Sequence, residues 1–103
     1  MVVARFTRKE VLSRGRIDLL ALGPKGWKCA EGDRVILSAH SARLCQLRSS
    51  GSLIEAASLS QVENGFEARY EFLIDSWAGR MPVELCVDGE VCEHLTLDIR
   101  PSE

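Results

Sequence analysis

The sequence predicts one all-β domain, an antiparallel β-sandwich of about seven or eight short strands with immunoglobulin-like architecture, with a small β-barrel as the alternative. Three observations predict it. Apolar residues recur at every second position through most of the chain after residue 15. Turn-forming Gly, Pro, Asn and Asp interrupt these runs roughly every ten residues. A chain of 103 residues, 46% hydrophobic and 27% charged, suffices for one core and is too short for two domains.

The first fifteen residues are the exception to the alternation. Thr7 and Glu10 stand at capping-box spacing, Val11 and Leu12 follow, and Gly15 can end a turn, so a short helix over about 8–14, or an arm, is expected here. From Arg16 to Leu22 the order places Ile17, Leu19 and Ala21 on one side of a strand that ends at the Gly23-Pro24-Lys25-Gly26 turn. Glu31-Gly32-Asp33 is a further turn, and the β-branched run Arg34–Ala39 suits a central strand. A strand over about 42–48 follows, then a Ser49–Ser52 connector.

Asn64-Gly65 is the clearest hairpin signal. Both residues tolerate positive φ, so a two-residue turn sets Glu63 opposite Phe66 and Leu59 opposite Tyr70. Phe66, Ala68, Tyr70 and Phe72 then share the core face, with Glu67, Arg69 and Glu71 on the wet one. A second hairpin turns at Val87-Asp88-Gly89, with Leu85 opposite Val91 and Glu84 opposite Cys92. This register sends Val83, Leu85, Val91, Leu95, Leu97 and Ile99 inward and leaves Glu93 as the one residue out of pattern.

The formal charge of −2 conceals a polarity along the chain. Residues 1–50 carry ten basic and four acidic residues, a balance of +6, and residues 51–103 carry three and eleven, a balance of −8. Either the halves interleave and pair across strands, or they form a basic and an acidic face that favours charged partners or contact between copies. Nucleic acid is not an expected partner, because no aromatic interleaves with the basic cluster and the balance is acidic. No basic-then-apolar leader opens the sequence, and no window approaches the ~18 apolar residues of a membrane helix. A cytoplasmic location without membrane contact, with Cys29, Cys45, Cys86 and Cys92 as free thiols, is therefore expected.

Specific chemistry is sparse. Cys86, Cys92 and His94 are the nearest approach to a metal site, yet no C-x-x-C pair is present, and neither a metal nor a cofactor is expected. His40 beside Ser38 and Ser41, and His94 beside Glu93, do not form a nucleophile and base, since strand neighbours point apart. The Gly-Pro-Lys-Gly turn lacks the rest of a phosphate loop. The residues that stand out are Trp27, after that turn, and Trp77, in Asp75-Ser-Trp-Ala-Gly-Arg80. Each indole either folds back over an open end of the sandwich or serves with Arg80 as an exposed anchor. The expected function is a non-enzymatic interaction or assembly domain, an accessory or structural subunit in a bacterial or phage setting. It would dock on a protein partner or on copies of itself through charge and through Trp27, Trp77 and Arg80. A small-ligand or carbohydrate-binding module is the alternative.

Overall fold

The computed structural model of the protein describes residues 3–13, 16–19, 27–74 and 79–100. Among them are ten strands and no helix: β1 (Ala4–Ser13), β2 (Arg16–Leu19), β3 (Trp27–Ala30), β4 (Arg34–Ser41), β5 (Gln46–Ser49), β6 (Ser52–Ile54), β7 (Ser58–Val62), β8 (Gly65–Leu73), β9 (Gly79–Val87) and β10 (Glu90–Arg100). They form two five-stranded sheets. The first has the order β2-β1-β4-β8-β7, the second β3-β10-β9-β5-β6. Neighbours are antiparallel except β3, which runs parallel to β10. Two separate sheets, each with its own edges, make a sandwich and not a closed barrel.

The core lies between the inner faces. Val35, Leu37 and Ala39 of β4 and Ala68 and Tyr70 of β8 meet Leu47 of β5, Val83 and Leu85 of β9, and Leu95, Leu97 and Ile99 of β10. Each large side chain so buried contributes about 1.5–3 kcal/mol by leaving water. Tyr70 is buried with its phenol satisfied, donating to the Cys45 carbonyl oxygen at 3.3 Å and lying 3.3 Å from the Cys45 thiol. Burial, reinforced by Cys45, pushes the Tyr70 pKa above its usual value.

The helix expected over about 8–14 is, through its described residues 8–13, the second half of β1. This segment pairs with β4 from Ala4↔Ser41 to Leu12↔Arg34, and ladder formation along a central strand outweighs a local capping signal. Thr7 is not a cap. It is the extra residue of a bulge between Phe6 and Arg8, which reverses the facing of everything after it and carries Val11 into the core. Lys9 takes an inner position opposite Leu37, 6% exposed, with its ammonium 5.6 Å from the Phe6 ring centroid.

The strand expected over 42–48 begins only at Gln46, because residues 42–45 cross from one sheet to the other. Ser49–Ser52 is tighter than a connector. Ser49 pairs with Ser52, and Ser50 and Gly51 take φ of 49° and 82°, so β5 and β6 form a two-residue hairpin. Pro82 sits within β9 where β5 no longer covers it, and Ser49 Oγ donates to its carbonyl oxygen at 2.8 Å.

Both hairpin registers differ from the sequence expectation. Around Asn64-Gly65 the turn residues are Glu63 and Asn64, with Val62 opposite Gly65, Gln61 opposite Phe66 and Leu59 opposite Ala68. Gly65 is needed in the strand itself: at φ 140° it passes so close to β4 that any Cβ would strike the Ser41 carbonyl oxygen. The shift of two residues leaves the faces of β8 as expected, with Ala68 and Tyr70 buried and Glu67 and Arg69 exposed. At the other hairpin, Asp88 and Gly89 (φ 52° and 83°) make a two-residue turn, Val87 pairs with Glu90, and a bulge falls at Cys92. Val91, expected in the core, is therefore 51% exposed, while Cys86, expected outside, is buried.

Candidate functional site

Trp27 and Arg80 are 53 positions apart in sequence, and the second sheet brings their backbones to one end of the sandwich. Trp27 stands in register with Leu97, which pairs on its other side with Met81. One residue along, Lys28, Asp98 and Arg80 form a row across β3, β10 and β9, with alternating charge. Arg80 and Asp98 are exposed. Arg80 forms no salt bridge among the described residues. The Trp27 side chain and the whole of Trp77 lie outside the described residues, so of the three expected anchors the structure places Arg80 fully and Trp27 by its backbone.

The same end is held firmly. In the turn between β3 and β4, Asp33 Oδ2 accepts the Ala30 N–H at 2.9 Å and the Asp33 N–H returns to the Ala30 carbonyl oxygen at 3.0 Å. Gly32 N–H reaches the Ile74 carbonyl oxygen and Glu31 N–H that of Arg100, tying the ends of both sheets to one turn. Cys29, on β3, is 5% exposed, and its thiol is pushed up to about 11 by burial, with Asp33 and Asp98 adding to the rise. It is a packed thiol and a poor nucleophile at neutral pH.

The metal-like set does not converge. Cys92 is the bulged residue of β10, its Sγ 3.9 Å from the Glu90 carbonyl oxygen, and His94 is exposed opposite Glu84. Cys86 lies in the row of Gln46 and Val91, with its pKa raised by desolvation against a lowering contribution from Arg48. Among the described residues no group of three or more His, Cys, Asp or Glu is placed to hold a metal ion.

A position that sequence reasoning could mark but not interpret is Glu93. The bulge at Cys92 sets it opposite Leu85, on the inner face of its sheet, where Glu93 Oε2 accepts the Phe6 N–H at 2.6 Å. Phe6 belongs to the other sheet, beside its own bulge. The single break in the alternation is thus a charge-assisted clasp between sheets.

The outer face of the first sheet is polar. Arg8 pairs with Glu10 at 2.6 Å and Arg69 with Glu71 at 2.7 Å, and Ile36, in register between Glu10 and Glu71, is 5% exposed beneath them. A depression of about 210 Å³ opens beside Thr7, Ser38, Ser58, Ser60 and Glu67. Small-molecule sites run to roughly 300–1,000 Å³ with mainly apolar and aromatic linings, and this one is smaller and lacks both. Two ion pairs cross between the halves of the chain: Arg34 meets Glu71 at 3.8 Å and Arg43 meets Asp88 at 2.9 Å, each joining a basic-half residue to an acidic-half one.

Fold and surface together define a β-sandwich whose exposed features are charged ends and strand edges. No protein-family model, curated protein or solved structure matches the chain.

Proposed function

We propose that the protein is a non-enzymatic interaction or assembly domain that docks on a protein partner, or on copies of itself, through the end of the sandwich that carries Trp27, Lys28 and Arg80. The observation that carries this reading is that the backbones of Trp27 and Arg80 lie in neighbouring rows at one firmly tied sheet end, with Arg80 exposed and in no salt bridge among the described residues. Arginine and tryptophan are among the residue types that dominate binding energy at protein interfaces. The strand arrangement supports a scaffold of immunoglobulin-like plan: β4, β8 and β7 follow one another as B, E and D do in that fold, and β10, β9, β5 and β6 as G, F, C and C′. Such a scaffold leaves ends and edges for recognition. A cytoplasmic accessory or structural subunit remains the setting proposed.

Two ion pairs join the basic half of the chain to the acidic half, which supports steering by local patches. Affinity capture with the wild type, Trp27→Ala, Trp77→Ala and Arg80→Ala at low and high salt tests the reading. Capture of a defined partner, or self-association, should weaken at least about tenfold in the Arg80 and tryptophan variants and with added salt. Unchanged capture in the Trp27 and Arg80 variants would remove this end of the molecule from the interface.

A further inference from the structure

We infer that β7 is a strand-addition site for an extended, basic-ended segment of a partner protein, an inference that rests on the interaction-domain reading but uses the opposite side of the fold. β7 pairs with β8 on one side and with no other described strand. Its residues, Ser58-Leu59-Ser60-Gln61-Val62, include no charge and no proline, and its register to β8 is unbroken. Natural edge strands are normally blunted by one of these devices or by shortness. The other described edges show them: β2 contains Arg16 and Asp18, β3 contains Lys28, and β6 has three residues. Along β7, alternate residues turn N–H and C=O away from β8, a template for one more strand.

The surroundings specify the occupant. Glu55, Glu63 and Glu67 border this edge, all exposed, and none forms a salt bridge among the described residues. Arg69, the basic residue opposite Ser58, is held by Glu71. Leu59, opposite buried Ala68, is 51% exposed and offers an apolar ledge to every second side chain of an incoming strand. An added strand with apolar residues toward that ledge and lysine or arginine at both ends satisfies the backbone, the ledge and the carboxylates together. A second copy of this chain does not, because antiparallel pairing of two β7 edges about Leu59, the apolar ledge, sets Glu63 of one opposite Glu55 of the other.

The test is a titration of the ¹⁵N-labelled protein with the capped peptide Lys-Lys-Val-Ser-Val-Ser-Val-Lys-Lys, following amide shifts and hydrogen exchange. Saturable shifts and slowed exchange centred on residues 58–62 are expected, together with affinity lowered about tenfold in the Glu55→Lys/Glu63→Lys double variant. Both substituted side chains are exposed, so an unchanged circular dichroism spectrum shows that the variant folds. Arg80→Ala should leave peptide binding intact, which separates this site from the Trp27 and Arg80 end. No binding, perturbations that map elsewhere, or equal binding of the peptide with glutamate in place of every lysine would overturn the inference, as would a dimer joined through β7.

Discussion

The thiol of Cys29 sits where burial, Asp33 and Asp98 all oppose its ionisation, and its value of about 11 against the usual 9.0 sets the sign of its effect on stability. Below pH 9 both folded and unfolded chains hold this proton. As pH rises from 9 through 11 the unfolded chain releases it first, so the folded state loses stability in that window. Urea midpoints measured across that range should fall more steeply for the wild type than for Cys29→Ala. Gly65 makes a steric prediction instead: with φ at 140° and the Ser41 carbonyl in the path of a Cβ, Gly65→Ala should cost about 1–3 kcal/mol in chemical denaturation. Ser41 predicts the reverse. Its Oγ is fully buried with no hydrogen-bond partner among the described residues, so Ser41→Ala should raise the melting temperature, a gain of about 1 kcal/mol.

At the scale of elements, the hairpins were legible and their registers were not. Asp88-Gly89 marked its turn because an Asp and a Gly accept positive φ at adjacent positions, and both do so here. Asn64-Gly65 marked the turn between β7 and β8 but misplaced it by one residue, a shift of two in register, since the glycine serves a close approach to β4 that no local pattern reports. The bulges at Thr7 and Cys92 were invisible for the same reason: each is decided by what the strand must pair with. Glu93 joins the two. Removing its carboxylate strands the Phe6 N–H, so Glu93→Ala should destabilise by about 1–3 kcal/mol, whereas Glu93→Gln keeps an acceptor oxygen and should cost less. Comparing the two variants by thermal melting checks the clasp; equal losses would assign the effect to packing alone.

Across the whole molecule, the two halves of the chain meet where β4 pairs with β8 in the first sheet and where β10 and β9 lie between β3 and β5 in the second. Arg34–Glu71 and Arg43–Asp88 are the visible result, and both are substantially exposed. Exposed pairs of this kind contribute about 0–1 kcal/mol each and are screened by salt. Folding stability should therefore change by no more than about 1 kcal/mol between low salt and molar sodium chloride, whereas docking through the exposed Arg80 or the β7 carboxylates should weaken markedly. A denaturation series and a binding series over the same salt range would separate the two. Of the candidate site, composition picked out the residue types, Trp and Arg. Their meeting at one sheet end depended on β3 joining β10, a parallel contact across 70 positions that no local pattern predicts.

By itself the sequence determined that this chain forms alternating strands with turns at Gly32 and Asp88-Gly89, because side-chain period and tolerance of positive φ are local properties. Tertiary structure alone decided that residues 8–13 are strand and not helix, that Glu93 faces inward, and which described strands have a second neighbour and which described charges form ion pairs. Those outcomes depend on pairing partners far away in the chain, and the energy of a ladder or a buried carboxylate exists only once the partner is in place.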